Sequence, residues 1–460
     1  MESTHAPAHA TLDTDVIDAL DRTVARASRS ELYRERLAGV RVRSARDLEA
    51  LRLTTRDDLG RAGPHGTRAA ALAEVCHYGE SSGTTGKSNS TWLTEGDFAR
   101  DAEAIRARHP DVFAPGKILL NRFPFMAAPA HIMQLVAQRG GGVAIPAGNI
   151  NWDVPFPRAL DLAQTTGAHV LAGLPIEPIV LAEIARSRGI DPIADFAFEA
   201  FFLGGAPLPL AMQRRMARTW GVRVIELYGS TETMLLGTSC AHGTLHLEEG
   251  LAYCEILEEA SDVPAAAGAD GRLVVTTLAV EGSPLVRFDT GDLVRPTPPC
   301  ACGDPRRGIV VLGRGADAAQ IAGRRVHPFE LVDAAAAAAD ALDSAIFFIV
   351  LLPDRVLVRI EALAPAGEAH GAFVAALPGV PVEIEVVEPG MLLDVELLAR
   401  SPKVYKPVVL ADWRRPGRRI LTVGEGMIEW PHPTMAEGRR WLSRTLRTLR
   451  RRRELLRGLR

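Results

Sequence analysis

The sequence predicts an α/β protein: a large N-terminal domain with mostly parallel βαβ sheets plus a β-rich subdomain, then a small α+β C-terminal domain. Three observations predict it. Between residues 117 and 227, short apolar runs alternate with helical patterns of roughly 8–13 residues, the signature of βαβ units. From about Leu245 the texture changes to short strands separated by Gly, Asp and Pro. After Gly313-Arg314 a helix, two strands, a helix and a strand follow within roughly a hundred residues, a common domain size.

In chain order, residues 11–75 read as helical, because Ile17, Leu20, Val24, Leu48, Leu51 and Leu59 recur at spacings compatible with a 3.6-residue period. This segment is expected to cap a larger domain. A helix is predicted at 97–108. Strands are predicted at 117–121, 142–145, 168–171, 200–203 and 222–227, with helices at 132–139, 157–166, 176–188 and 210–220 between them. Ligands of parallel sheets bind beyond the strand C-terminal ends, and Glu226-Leu227-Tyr228-Gly229-Ser230-Thr231-Glu232 follows an apolar strand directly. The β-rich part is assigned strands at 253–257, 271–277, 284–287 and 309–312. The last unit is assigned helices at 328–339 and 370–377 and strands near 344–351, 355–361 and 382–387. The expected division is 1–313, 314–418 and a basic extension at 419–460.

At 460 residues the chain exceeds one ordinary core. With 47% apolar residues, 24% charged residues and a net charge of −3, its bulk properties fit a globular protein and give no sign of nucleic-acid binding. The first thirty residues hold four aspartates and no signal-like apolar run, and no stretch approaches the length of a membrane span. A soluble, cytoplasmic protein without membrane insertion is expected. Five cysteines in such a length do not form a secreted disulfide framework.

The most telling stretch is Tyr78-Gly79-Glu80-Ser81-Ser82-Gly83-Thr84-Thr85-Gly86-Lys87, which holds no aliphatic residue. Glycines let backbone N–H groups approach an anion, hydroxyls add donors and the lysine adds charge, which together make a polyphosphate cradle. The competing reading is a plain surface loop. A P-loop is disfavoured, because Gly83 and Gly86 enclose two residues where that motif has four.

Three more motifs follow in order: Tyr228-Gly229-Ser230-Thr231-Glu232, Asp289-Thr290-Gly291-Asp292, and Gly313-Arg314 with Gly323-Arg324-Arg325-Val326-His327-Pro328-Phe329-Glu330. Together with the first they resemble the adenylate-forming superfamily of acyl-CoA synthetases, adenylation domains and luciferases. Thr276-Thr277-Leu278, Pro284-Leu285-Val286-Arg287 and Val326-His327-Pro328-Phe329 make the chain most similar to the phenylacetate–CoA ligase branch. The resemblance covers about residues 70–415. It implies an adenylate-forming enzyme fold and an ATP-dependent, AMP-forming ligase. A carboxylate would attack the α-phosphate of Mg²⁺·ATP to give an acyl-adenylate and pyrophosphate. A thiol, most simply that of CoA, would then displace AMP.

The resemblance also assigns residues. Ser81, Ser82, Gly83, Thr84, Thr85, Gly86 and Lys87 would hold the β- and γ-phosphates. Thr231 would contact the α-phosphate, and Glu232 would hold Mg²⁺, a hard cation that favours carboxylate oxygen. Tyr228 would stack on adenine beside Gly229 and Ser230. Gly204, Gly205, Ala206 and Pro207 would line the adenine and acyl pocket. Asp292 would accept both ribose hydroxyls, and Arg314 would stand at the interdomain junction. Lys403 best matches the catalytic lysine of the family's C-terminal loop, with Lys406 second; the competing reading of either is a solvated charge. Phe125, His131, Gly205 and Met234 fall in segments that line the acyl pocket, and their largely apolar character suits an aromatic acid. His131 either bonds a ring substituent or simply starts a helix. Three residues depart from the family pattern: Asp289 stands for an arginine, Ala316 for the hinge Asp or Lys, and Ser88 for a proline.

Cys240, His246, Cys300 and Cys302 sit in two loop-like segments, each of which offers two soft ligands, as a tetrahedral structural zinc site requires. Relatives carry similar residues there. His242 is an alternative fourth ligand, while Cys76 and Cys254 read as ordinary buried thiols. The segment 435–460 has ten arginines against Glu437 and Glu454, with leucines at helical spacing. It is either a solvated terminal helix that packs on its own domain or a contact for an acidic partner, a membrane surface or a nucleic acid. Homodimerisation stays open. The alternatives to CoA transfer are a carrier-protein or amine acceptor, or a non-catalytic nucleotide-binding protein that acts through its basic tail.

Overall fold

The structure is a computed structural model that describes residues 13–80, 89–148, 154–393, 409–412 and 414. The chain opens with α1 (Thr14–Ala27), α2 (Ala45–Glu49) and α3 (Arg56–Gly66). Each begins at a side-chain cap, from Asp13, Ser44 and Thr55, and Thr55 and Asp58 form a reciprocal capping box. The stretch between α1 and α2 is turns rather than the continuous helix expected. Ser28 closes α1, and the Ser30 carbonyl then accepts from the backbone N–H groups of Tyr33 and Arg34 in a tight turn. Leu20, Val24, Tyr33 and Leu48 bury against Leu278 and Val286, so this segment does cap the β-rich part.

Strands β1 (Val75–Glu80) and β2 (Ser90–Thr94) pair antiparallel up to Glu80 opposite Ser90. Then follow α4 (Glu95–Arg108), β3 (Ile118–Asn121), α5 (Ala128–Arg139), β4 (Val143–Pro146), α6 (Phe156–Thr166), β5 (Val170–Gly173), α7 (Ile176–Ser187), β6 (Ala200–Gly204), α8 (Leu210–Trp220) and β7 (Arg223–Ser230). Helices α6 and α8 end at Gly167 and Gly221 in the left-handed region, where a glycine carries no Cβ penalty. The strands β4-β3-β5-β6-β7 are parallel neighbours in that order. β5 and β6 are buried along their whole length, as strands covered on both faces must be. Phe202 sits at the centre of this layer with no exposure, and its truncation to alanine costs about 3–5 kcal/mol.

The β-rich part continues the same sheet instead of forming a separate one. Strands β8 (Met234–Ser239), β9 (Leu245–Leu247), β10 (Ala252–Leu257), β11 (Gly271–Thr277), β12 (Phe288–Pro296) and β13 (Gly308–Arg314) extend it antiparallel, and eleven strands result among the described residues. The expected strand at 284–287 is not formed. Its backbone N–H groups bond side chains instead of a ladder: Leu285 to Thr277, Val286 to Tyr33 and Arg287 to Thr276. Arg287 adopts φ 44° and turns its guanidinium onto buried Glu255 at 2.8 Å.

Beyond Arg314 come the hairpin β14 (Ala319–Ile321) and β15 (Arg324–Val326), α9 (Pro328–Ala341), β16 (Phe347–Leu351), β17 (Val356–Glu361), α10 (Gly367–Ala376), β18 (Val382–Val387) and β19 (Leu410–Asp412). Four of these strands form a sheet in the order β18-β17-β16-β19, as an α+β unit. Its apolar residues join one core cluster with those of α6, α7 and α8. Arg215 and Arg218 of α8 pair with Asp343 and Asp340 at the end of α9. Among the described residues no helix is long and apolar enough to cross a membrane.

Candidate active site and sulfur cluster

The motif at 226–232 is itself strand and turn: β7 carries it through Ser230, and residues 231–233 turn the chain into β8. The turn is tight. A Cβ on Gly229 would stand 1.9 Å from the Met234 carbonyl, so only glycine fits. Met234 takes φ 61°, and the hydroxyls of Ser230 and Thr233 bond each other at 3.0 Å. Tight crossing also explains Gly204, whose Cβ would meet the Leu227 carbonyl at 2.5 Å. Gly204 pairs with Leu227, so Gly205, Ala206 and Pro207 leave the sheet next to Tyr228. Gly205 and Pro207 are exposed.

Glu232 is buried within this turn, its side chain 2% exposed. Its Oε1 accepts from Arg56 Nη1 at 3.2 Å and from Asn89 Nδ2 at 3.2 Å. Arg56 opens α3, and its Nε also donates to the Thr290 carbonyl at 3.2 Å. Two residues on from Thr290, Asp292 accepts from the Tyr228 hydroxyl at 2.8 Å and stands opposite Arg314 across β12 and β13. Burial raises the Asp292 carboxyl above the usual range, against the hydrogen bond from Tyr228 and the charges of Arg56 and Arg314. Burial, and then the Asp292 charge, raises the Tyr228 phenol well above 10. Thr231 lies beside β1, its methyl 3.5 Å from where a Cβ on Gly79 would be.

Tyr228, Glu232, Asp292 and Arg314 therefore lie together. Arg56 and Asn89 join them without any sequence signal. Arg56 reads in sequence as one residue of a capped helix start, and Asn89 as the end of a polar loop. Ser81–Lys87, Ser88, Lys403, Lys406 and the arginine-rich tail lie outside the described residues. The Asp289 departure is compensated, because its carboxylate pairs with Arg272 and accepts from Gly291 N at 2.9 Å. Ala316 lies in the turn Gly315–Asp317 that follows Arg314.

Of the residues expected to line an acyl pocket, Phe125 is exposed and His131 Nε2 bonds the Phe125 carbonyl at 2.9 Å, while Met234 is buried in the core with Phe98 and Phe123. The His131 ring packs 4.4 Å from that of His77, on β1, with Phe98 close to both. Burial, and then the His131 ring, lowers His77 to about 4, so it is neutral at pH 7.

The second constellation converges as the sequence suggests. The ligand atoms of Cys240, His246, Cys300 and Cys302 all lie within 4.8 Å of one another. Cys240 and Cys300 sulfurs are 3.7 Å apart, and Cys302 Sγ is 3.4 Å from His246 Nε2. Two thiolates about 2.3 Å from one tetrahedral ion stand roughly 3.8 Å apart, so the spacing suits zinc. His246 Nδ1 faces the Arg306 carbonyl at 3.1 Å. A carbonyl only accepts, so Nδ1 carries the proton and Nε2 keeps its lone pair toward the sulfurs. Turns with Gly243 and Gly303 at positive φ fold the two segments around the cluster. His242 is exposed and outside it. Cys254 is buried, but Cys76 is exposed, contrary to expectation: β1 and β2 are paired as a two-stranded ribbon, so one face of β1 has no partner layer.

Comparison with known proteins shows the family and the fold. The AMP-binding enzyme family model matches residues 36–279. The chain is 30% identical to the phenylacetate-coenzyme A ligase of Thermus thermophilus over 297 residues, which are 63% of this chain and 66% of that one. It is 27% identical to the Escherichia coli phenylacetate-coenzyme A ligase over 317 residues, 65% of this chain and 70% of that one. The match thus spans about two thirds of these relatives, and just under that share of the Thermus enzyme. A 2-hydroxyisobutyryl-CoA ligase in complex with 2-HIB-AMP shares the fold, with a TM-score of 0.74 at 20% identity over 90% of this chain and 94% of that one.

Proposed function

Because this chain belongs to the AMP-binding enzyme family, we propose that it activates a carboxylic acid with ATP and passes the acyl group to CoA. In the first step a carboxylate oxygen attacks the α-phosphorus and pyrophosphate leaves. In the second a thiol attacks the acyl carbon and AMP leaves. Neither step needs a nucleophile from the protein; both need reactants held in line and developing charge neutralised. The observation that carries this reading is the meeting of Tyr228, Glu232, Asp292 and Arg314, from segments far apart in sequence, at the end of β7.

In this reading Asp292 takes the ribose hydroxyls, and Tyr228 keeps its carboxylate aimed while offering its ring to adenine. Thr231 stands at the α-phosphate. The Glu232 carboxylate is an oxygen donor of the kind Mg²⁺ prefers, and the metal would neutralise phosphate charge there. Ser81 to Lys87 hold the outer phosphates, and Lys403 or Lys406 completes the charge balance at the reacting carboxylate. The acid is aromatic. Neutral His77 beside His131, with Phe98 and exposed Phe125 next to them, offers ring faces and a polar edge suited to a flat ring with a hydrogen-bonding substituent.

Cys240, His246, Cys300 and Cys302 hold a structural zinc, with no position left for a reactant. The metal would tie the β8–β9 hairpin to the loop before β13.

The test is carboxylate-dependent exchange of labelled pyrophosphate into ATP, over aromatic, aliphatic and amino acids, beside Lys403→Ala and Lys406→Ala. Exchange with aromatic acids, lost on one lysine change, supports adenylation and identifies the lysine. AMP release on adding CoA, but not an amine, then supports thioester formation. ATP binding without exchange for any acid favours instead a nucleotide-binding protein that acts through residues 435–460.

A further inference from the structure

The Arg56–Glu232 contact joins two segments that are distant in sequence. Arg56 comes from the capped first turn of α3, 176 residues before Glu232, and crosses to it from outside the β7–β8 turn. A carboxylate with 2% exposure needs compensating donors, and both Arg56 and Asn89 converge on Oε1. The Arg56 side chain is 32% exposed, so it is open to a charged ligand from solvent while Glu232 beneath it is not. Its Nε is anchored on the Thr290 carbonyl, which keeps the group between Glu232 and Asp292. The planar fork matters here: Nε and Nη1 serve two acceptors at once, which a lysine ammonium on a flexible stem does not do in the same geometry.

Building on the adenylation reading above, we propose that Arg56 is the resident counter-cation of Glu232. It is a positioning residue that keeps the buried carboxylate aimed at the metal position before nucleotide binds, competes there with a divalent cation, and yields Glu232 when the metal arrives with its nucleotide. Free metal then binds poorly, and metal with ATP binds well, because the phosphates supply the anion onto which the guanidinium re-pairs. No bond to Arg56 is made or broken beyond this exchange of ion-pair partners. The device selects the metal–nucleotide complex over the metal alone, and it explains why a segment far from the motifs takes part in the site.

The experiment titrates Mn²⁺, without nucleotide, into the full-length protein and reads free Mn²⁺ by electron paramagnetic resonance. Arg56→Gln removes the competitor, so Mn²⁺ should bind about tenfold tighter than to wild type, with the gain abolished by adding Glu232→Gln. In the exchange assay the same variant should raise KM for Mg²⁺·ATP about tenfold while changing kcat by less than about threefold. If Arg56→Gln does not fold, Arg56→Lys carries the test: without the Thr290 anchor it competes less well, and Mn²⁺ binding tightens about two- to threefold. Mn²⁺ affinity equal to or weaker than wild type in the folded variant overturns the proposal. Wild type that shows no exchange with any acid, but whose Mn²⁺ affinity rises on Arg56→Gln, refutes the adenylation reading and leaves the role of Arg56 intact.

Discussion

The carboxylate cluster at the end of β7 and the sulfur cluster between the β8–β9 hairpin and the loop after β12 both gather polar side chains from distant segments, yet they handle charge differently. In the first, each acid is matched by the protein: Glu232 by Arg56 and Asn89, Asp292 by the Tyr228 hydroxyl. In the second, lone pairs from three sulfurs and one imidazole converge, and His246 Nδ1 donates its proton to the Arg306 carbonyl, away from the centre. In the proposed reading, the first site exchanges its ligand in every turnover and so carries its own partners between turnovers. The second would keep one metal for the life of the protein and can leave its donors pointed at each other, because that metal would be part of the fold.

The largest expected effect tests the sulfur side. Cys302→Ser should remove one zinc per chain, read by atomic absorption, and lower Tm by on the order of 10 °C, since structural zinc binding contributes directly to folding. Strong chelators should do the same to wild type. Purified protein that holds no metal and melts like Cys302→Ser would erase the contrast.

Next comes Asp292→Asn, which should act in opposite directions on activity and stability. Exchange activity should fall about 10²–10³-fold, as for loss of a charged group that fixes a reactant. Stability at pH 7 should rise slightly. Burial raises the folded-state pKa of Asp292 above its unfolded value, so the folded form is favoured at low pH and its advantage is lost as pH climbs through the folded pKa. A neutral amide removes that loss. Calorimetry at pH 5 and pH 8 checks it: the gain in Tm should be larger at pH 8. A variant less stable than wild type at both pH values would mean that Asp292 serves the fold rather than a ligand. Tyr228→Phe is smaller, at about 1 kcal/mol or a several-fold rise in KM for ATP, because one hydrogen bond to a charged group is lost while the ring stays.

What is legible in the sequence follows the same division. Periodicity places the parallel strands and their helices within a few residues, since β5 and β6 are continuous apolar runs and α6 and α8 end at Gly167 and Gly221. The four metal-type ligands are legible because Cys and His at close spacing have few other uses. The stretch 284–287 reads as strand because Leu285 and Val286 look like strand residues, whereas their N–H groups bond the Thr277 and Tyr33 hydroxyls. Arg56 and Asn89 are not legible at all. Arginine is abundant in this chain, and nothing local distinguishes the one that reaches Glu232; that contact depends on α3 packing through Leu59 on Leu285 and Phe288.

The smallest effect concerns His77, which belongs to neither kind of site. Its ring meets the His131 ring at 4.4 Å and that of Phe98 at 5.4 Å. Burial, and then His131, lowers it from 6.5 to about 4. The unfolded chain therefore binds a proton below pH 6.5 that the folded chain refuses until about pH 4. The contribution of neutral His77 is complete above pH 6.5 and is lost progressively as pH falls toward 4. His109, lowered to about 4 chiefly by burial, titrates in the same window and will keep part of the slope. His77→Gln should therefore match wild type in its pH dependence above about pH 7 and lose about 2–4 °C less of Tm between roughly pH 6.5 and 4.5, as thermal melts across that range would read. Parallel curves would mean that His77 is solvated in the folded protein and that the β1 side of the pocket is wet, which would weaken its assignment to an aromatic acid. A smaller loss in the variant would support a dry, neutral imidazole there, as the reading of this region as the face of an aromatic acid site requires.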